Sequence, residues 1–140
     1  MADLPPARRV IRASQTGCVP HGVVVLDYDA RFLRRKRLVT EEENGFLVNL
    51  AETTSLEARD CLELDDGRLI EVRPAKEPLL VVTGPGLARY AWHIGNRHTP
   101  CQIEAARLLI RQDHVLQGML AHLGAQVSPA MEAFTPEGGA

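Results

Sequence analysis

The feature that most constrains the fold of this chain is a change of sequence pattern at residues 74–78 (PAKEP), a short segment bracketed by prolines. Before this segment, short apolar and β-branched runs recur at roughly ten-residue spacing, which is typical of an all-β domain. After it, runs with strand-like and helix-like spacing alternate. We therefore place a domain boundary in this segment and predict two small domains, residues 1–74 and 75–140.

The first domain is predicted to be a small β-sandwich or barrel. Turn-forming residues separate its apolar runs, and Asp65-Asp66-Gly67 is a tight-turn signal that joins two of these runs into a hairpin. The predicted strands cover residues 8–13, 23–27, 32–39, 45–50, 61–64 and 68–73.

The second domain is predicted to have the order βαββαβ, which is the ferredoxin-like pattern. Its first helix should begin near Pro85 and end at Gly95-Asn96, and its second should begin after Asp113 and end at Gly124. The final residues are expected to form a loose tail. The predicted strands cover residues 79–83, 101–105, 107–111 and 125–127. The fold class is therefore α+β, with an N-terminal all-β domain followed by a ferredoxin-like domain.

Composition excludes several classes of function. A formal net charge of −2 over 140 residues provides no overall attraction for nucleic acid or an anionic membrane. No apolar run approaches the roughly 20 residues of a membrane-spanning helix, and the N-terminus lacks the apolar segment of a secretory signal. Cys18, Cys61 and Cys101 are widely spaced and odd in number, which is typical of a reducing compartment. We expect a cytoplasmic protein that binds neither nucleic acid nor a membrane.

Most of the chemically versatile side chains lie in the second domain, which contains four of the five histidines. His114 and His122 lie eight residues apart on the second predicted helix, with Gly118 midway on the same strip. A helical rise of 1.5 Å per residue separates the two rings by about 12 Å, whereas a zinc–imidazole bond is only about 2.0–2.1 Å long. These two histidines therefore cannot bind one metal ion within a single chain.

A two-fold dimer would remove this difficulty for His114. A residue near a two-fold axis faces its own copy, so two His114 imidazoles could bind one ion, while Gly118 lets the helices approach. Such an open site suits an ion that is later released, unlike a closed four-ligand cage. Asp113 would partly offset the cost of about 0.3–1 kcal/mol that a helix N-terminus imposes on a cation.

Plainer interpretations of these residues stay open. A histidine beside an apolar stripe is more commonly a hydrogen-bonded surface residue, and His122 suits the C-terminal end of a helix. His98 and Arg97 are expected to satisfy helix carbonyls or a carboxylate at an interface, and His93 and His98 could converge across the helix end. Cys101 is expected to be a buried thiol.

The sequence offers little support for an enzyme. It contains no nucleophile-elbow or zincin motif, and Gly84-Pro85-Gly86 lacks the rest of a phosphate-binding fingerprint. The basic run Arg34–Arg37 is expected to be a solvated strand or a docking surface for an acidic protein partner. Strand alternation would split its side chains between two faces, so RNA binding is the weakest alternative.

Three segments resemble a known family, the urease accessory protein UreE. The family shows a YHLGNRH-type run, a DHVL-type helix start and an F-x-P-E-x-GA-type ending. The corresponding segments here are Trp92–His98, Asp113–Leu116 and Phe134–Ala140. The upstream stretches RFLRRKRLVT and LDDGRLIEVRPAKEPLLVV are also similar in kind and order. Trp92 stands where the family usually has Tyr, and Cys101 stands where an aliphatic residue is usual.

The resemblance implies a nickel metallochaperone that is not an enzyme. It implies a homodimer whose contact lies in the ferredoxin-like domain, and an N-terminal domain of the peptide-binding type. The family's main metal ligand would correspond to His114. The implied role is to bind Ni²⁺ in the cytoplasm, with Zn²⁺ or Cu²⁺ as substitutes in vitro. The ion would pass to the urease apoprotein assembly complex through the accessory GTPase UreG. The alternative is a scaffold module of a metalloenzyme assembly complex that binds metal only incidentally.

Overall fold

A computed structural model describes residues 3–15 and 19–137, so Cys18 lies outside the described residues. The chain divides into two compact units, Met1–Ala75 and Lys76–Ala140. This division falls within the segment 74–78, but the segment is not a separate linker, because one strand ends at Pro74 and the next begins at Lys76. Pro78 is tolerated within that second strand because only one neighbouring strand is paired at this position, and its missing N–H can face the unpaired side.

The N-terminal unit is built from a six-stranded mixed sheet, as the spacing of its apolar runs predicts. The strand order is β2-β6-β5-β1-β4-β3, with β1 parallel to β4 and β2 parallel to β6. The fourth strand runs five residues past its predicted end. The strands are β1 (Ala7–Ile11), β2 (Gly22–Leu26), β3 (Phe32–Val39), β4 (Gly45–Ser55), β5 (Cys61–Leu64) and β6 (Leu69–Pro74).

This sheet curls around a largely aliphatic core. Its two edge strands approach each other beyond the end of β3, where the Glu41 N–H donates to the Val23 carbonyl of β2 at 2.8 Å. Curling lets one sheet enclose its own apolar face, which supplies the main driving force for folding. The fully buried core residues include Val24, Phe46, Val48, Leu62, Ile70 and Val72.

The C-terminal unit has the predicted ferredoxin-like fold. Its four strands form an antiparallel sheet in the order β10-β7-β9-β8, so the first and third strands in chain order occupy the centre. The elements are β7 (Lys76–Thr83), α1 (Leu87–Asn96), β8 (Gln102–Ile103), β9 (Leu108–Arg111), α2 (His114–His122) and β10 (Gln126–Ala133).

Both helices pack against one face of this sheet. Tyr90 and Ile94 of α1 and Leu116 and Leu120 of α2 are buried at helical spacing. They belong to the same core cluster as four alternating strand residues, namely Leu80, Val82, Leu108 and Ile110.

The end of the chain differs from its sequence-based prediction in two ways. β10 does not stop before Pro129, because it is an edge strand and a proline there can turn its missing N–H away from the sheet. Residues 134–137 are not a loose tail: Phe134 is fully buried, and the Thr135 N–H donates to Gln102 Oε1 at 2.8 Å. The Glu137 N–H donates to the Cys101 carbonyl at 2.9 Å. The last three predicted tail residues, 138–140, lie outside the described residues.

No helix in the described part of the chain is long and apolar enough to cross a membrane.

The buried carboxylate of Asp60 is predicted to be a major stabilising group of the N-terminal unit. Its Oδ2 accepts from Arg12 Nη1 at 2.7 Å and from the Glu57 N–H at 2.9 Å, and its Oδ1 accepts from the Ala13 N–H at 3.0 Å. Asp60→Ala should lower the free energy of unfolding by about 2–4 kcal/mol in urea denaturation, because it leaves these donors without their acceptor. Asp66→Ala, which removes an exposed partner of Arg68, is the control and should change stability little. Equal effects of the two substitutions would contradict the prediction.

Candidate functional site

The start of α2 fixes the position of His114. Asp113 has extended backbone angles, and its Oδ1 accepts from the N–H groups of Val115 and Leu116 at 2.9 and 3.1 Å. This is the geometry of an N-cap, so His114 is the first residue of the helix. The predicted helix start at Asp113 is therefore confirmed.

The outer face of α2 is exposed along the predicted strip. His114, Gly118 and His122 are all exposed, whereas Leu116 and Leu120 point into the core. Val115, beside the strip, keeps 54% of its surface accessible. A Cβ added at Gly118 would meet nothing within 4 Å, so this part of the helix is open to a close approach by another molecule.

At the end of α1, the backbone of His98, and not its side chain, caps the helix. The Ile94 and Gly95 carbonyls accept from the backbone N–H groups of Thr99 and His98, at 3.4 and 2.9 Å. These two bonds form a Schellman motif, in which the residue at the position of His98 is usually Gly. Because backbone groups cap the helix, the imidazole of His98 is not needed for that purpose.

His98 also adopts an unusual backbone conformation. Its φ of 58° lies in the left-handed region, which costs a residue with a side chain about 1–2 kcal/mol. His98 is exposed, and neither its ring nor that of His114 forms a hydrogen bond or an ion pair with another described residue. The sequence analysis considered His98 only together with His93, because the sequence does not show that His98 lies beside Asp113 in the folded chain.

A groove of about 480 Å³ connects the end of α1 with the start of α2. His98 and Asp113 both line it, together with Pro78, Pro100 and Arg111. His114 is not part of the lining of the groove, but it directly follows Asp113, so His98 and His114 lie at the same end of the domain. The other two histidines of this domain do not line the groove. His93 packs edge-on against Trp92, with 5.0 Å between the two ring centroids, and His122 lies in the last turn of α2.

The two helix ends differ in their effect on a cation. The N-terminus of α2 disfavours positive charge by about 0.3–1 kcal/mol, which the Asp113 carboxylate opposes. The C-terminus of α1 favours positive charge by a similar amount, so His98 has the better electrostatic position for a metal ion.

A single chain does not hold a complete metal site within residues 3–15 and 19–137. No three His, Cys, Asp or Glu side chains in these ranges lie close enough together to bind one ion. A metal bound at this end of the domain would therefore need ligands from another molecule or from solvent.

Cys101 is buried, as expected. It is 9% exposed, and burial raises the pKa of its thiol to about 11, with a further contribution from the negative charge of Glu137. A thiol with this pKa is protonated at neutral pH, which excludes it as a reactive thiolate under those conditions.

The fold and the groove define a class of protein: a two-domain α+β protein whose ferredoxin-like domain carries exposed histidines at adjoining helix ends. Comparison with known sequences makes this class specific. The family model described as the UreE urease accessory protein N-terminal domain matches residues 8–75, and the corresponding C-terminal domain model matches residues 77–140. The chain belongs to the UreE family of urease accessory proteins, which confirms the resemblance seen in the sequence.

Individual relatives agree with the family models. The urease accessory protein UreE of Cereibacter sphaeroides is 59% identical over 140 residues, covering all of this chain and 76% of that protein. The UreE protein of Ruegeria pomeroyi is 59% identical over 135 residues, covering 96% of this chain and 91% of that protein. The UreE protein of Brucella anthropi is 46% identical over 138 residues.

The raised pKa of Cys101 predicts slow alkylation of this residue. An acid whose pKa is raised in the folded state stays protonated above the pH at which the unfolded chain ionises, so thiolate should accumulate only as the pH approaches about 11. Iodoacetamide at pH 8 should therefore modify Cys101 much more slowly in the native protein than in urea, as measured by peptide mass mapping. Equal rates in both states would show that the thiol is accessible and ionised.

Proposed function

We propose that this protein is a nickel metallochaperone for urease. It binds Ni²⁺ at a contact between two copies of its ferredoxin-like domain and passes the ion to the urease apoprotein assembly complex, through the accessory GTPase UreG, in the cytoplasm. The observation that carries the proposal is the pair of exposed, unpaired imidazoles at one end of this domain, in a member of a urease accessory family.

We propose a homodimer because one chain lacks a complete metal site within the described residues. One chain supplies no three-ligand site within the described residues, whereas a two-fold axis doubles every ligand that lies near it. The exposed strip of α2 suits such a contact, because Val115 offers apolar surface and Gly118 leaves room for a second helix. We therefore propose that the two ferredoxin-like domains meet along this strip.

His114 is the proposed ligand. We add His98 as a second ligand, because it lines the groove together with Asp113, the residue before His114. Imidazole nitrogen is a suitable ligand for Ni²⁺. Each copy would offer both rings, and the remaining positions would be open to water or to a recipient protein. Such a site releases its ion more readily than a closed cage does, which a delivery protein requires.

The proposed site cannot select nickel by affinity alone. Imidazole sites bind Cu²⁺ more tightly than Ni²⁺, and they also accept Zn²⁺, so both ions should bind in vitro. Selection of nickel must therefore come from metal availability and from recognition of the recipient.

Calorimetric titration with Ni²⁺ tests the ligands. We expect His114→Ala and His98→Ala each to weaken binding by about tenfold or more, because each removes two imidazoles from a dimeric site. His21→Ala is the matched control, since His21 is an exposed histidine of the other unit and contacts Arg68. If only one of the two test substitutions weakens binding, that histidine alone is the ligand. Unchanged binding in both would refute the proposed site.

Substitution of Gly118 tests the dimer contact. Gly118→Trp should leave the fold of one chain intact, because Gly118 is exposed and a Cβ added there meets nothing within 4 Å. It should nevertheless dissociate the dimer and weaken nickel binding, as measured by light scattering and calorimetry. Gly118→Ala is the control, and it should keep the dimer while stabilising the helix by about 1 kcal/mol. A Gly118→Trp variant that stays dimeric would place the contact elsewhere.

The alternative is a scaffold module of the assembly complex that binds metal only incidentally, which would hold if two copies of the chain do not complete a metal site. A double variant, His98→Ala with His114→Ala, separates the two functions. A scaffold would still capture the GTPase and support urease activation, whereas a metallochaperone would lose activation at limiting nickel.

A further inference from the structure

A cavity of about 470 Å³ opens in the N-terminal unit, between the residue that follows β1 and the last residues of β4. Its volume lies within the range of about 300–1,000 Å³ that is usual for small-molecule sites. Most such sites are lined by apolar side chains, whereas every residue that lines this cavity has a polar one. The lining residues are Arg12, Glu52, Thr53, Thr54, Ser55 and Glu57.

The cavity lies where β4 departs from regular pairing with its two neighbours. Among the described residues, β1 pairs with β4 only at Ala7 and Val48, so the two strands are not paired where the cavity opens. On the other side of β4, the register with β3 shifts, which leaves residues 50–53 opposite a single residue of β3. A bulge of this kind redirects side chains. Two of the bulged residues, Glu52 and Thr53, line the cavity.

Two acceptors hold the guanidinium of Arg12 in place. Its Nη1 donates to Asp60 Oδ2 at 2.7 Å and to the Ser55 carbonyl at 3.1 Å, and the Asp60 side chain is only 3% exposed. The Nε and Nη2 groups of Arg12 donate to no residue in the described ranges. These two groups form the edge of a guanidinium that can bind both oxygens of a carboxylate. Arg12 is therefore fixed in position and still has this edge available for a ligand.

Two carboxylates line the same cavity and also lack a partner. The side chains of Glu52 and Glu57 are exposed, and neither forms a hydrogen bond or an ion pair with any residue that the structure describes. Arg12 pairs with the buried Asp60 and with neither of them. The cavity thus contains one cation with available donors and two carboxylates with available acceptors.

The ligand that complements this lining carries both charges. Glu52 and Glu57 would repel a lone carboxylate, and Arg12 would repel a lone ammonium. An α-amino acid has an ammonium and a carboxylate on the same carbon at neutral pH. The hydroxyl groups of Thr53 and Ser55 can form hydrogen bonds with a polar side chain of such a ligand.

We propose that this cavity binds a small polar α-amino acid as a zwitterion. The ligand carboxylate accepts hydrogen bonds from Nε and Nη2 of Arg12, and the ligand ammonium pairs with Glu52 or Glu57. Because Asp60 already fixes Arg12, binding costs little side-chain entropy at this residue. This proposal does not depend on the proposed metal site, and it can be tested on metal-free protein.

NMR titration of the metal-free, ¹⁵N-labelled full chain with L-serine tests the proposal. We expect the Nε–H signal of Arg12 and the backbone N–H signals of residues 52–57 to shift and to saturate, with a Kd on the order of 1 mM. Absence of a saturable shift in these signals would overturn the proposal.

Substitution of the two carboxylates tests how the ammonium is bound. Glu52→Gln combined with Glu57→Gln should raise the Kd for L-serine about tenfold, because it removes both charged acceptors. The fold should be unaffected, since neither side chain interacts with another described residue. Glu41→Gln combined with Glu43→Gln is the matched control. It makes the same change of charge at exposed residues beyond the end of β3 that lies away from Ser55, and it should change Kd by less than about twofold.

Arg12→Lys tests how the carboxylate is bound. Lysine keeps a positive charge near Asp60 but lacks the two-donor edge, so Kd should rise about tenfold. Urea denaturation of this variant shows whether the Asp60 contacts survive. The pair of glutamate substitutions decides the outcome if they do not.

Altered ligands separate a zwitterion site from a site for a single charge. N-acetyl-L-serine lacks the ammonium and L-serinamide lacks the carboxylate, so each should bind about tenfold more weakly than L-serine. N-acetyl-L-serinamide lacks both charges, as an internal segment of a protein does, and it should not bind. The proposal is overturned if any of these three ligands binds as tightly as L-serine, or if the two pairs of glutamate substitutions have equal effects.

Discussion

The arrangement of the candidate site depends on the burial of two amphipathic helices against one face of a four-stranded antiparallel sheet. Leu80, Val82, Leu108 and Ile110 alternate along the two central strands, and both helices cover the apolar face that they form. In this fold the C-terminal end of α1 lies beside the N-terminal end of α2, and residues from both ends line the same groove. Apolar packing, rather than any attraction between polar groups, therefore brings His98 close to Asp113 and the start of α2.

Two opposite helix ends consequently share one small surface. The carbonyl end of α1 favours a cation, whereas the amide end of α2 opposes one, and Asp113 offsets part of that opposition while it caps the helix. These opposing contributions favour a weak, open site over a tight one. Weak binding is a disadvantage for a structural metal but an advantage for a protein that has to surrender its ion.

The sequence predicts most of the fold, because the periodicity of buried residues reflects the sheet and the helices directly. Prediction from the sequence fails where the role of a residue depends on its surroundings in the folded chain. Pro129 is compatible with β10 only because that strand lies at an edge, and Phe134 is buried although it is followed by residues typical of a tail. His98 could not be separated from an ordinary helix cap, because its positive φ and the capping by backbone N–H groups are properties of the folded chain. The candidate site is thus harder to predict than the fold, since it is composed of exposed residues with no periodic signal.

Weak metal binding leaves the recognition of the recipient to be explained. An exposed pair of imidazoles can neither distinguish nickel from copper by affinity nor hold its ion against a stronger ligand. Specific delivery then requires that the recipient be recognised by something other than the metal. Separating the recognition of the recipient from the binding of the ion would let the proposed metal site stay weak, since the partner's affinity for the protein would not have to come from the transferred ion.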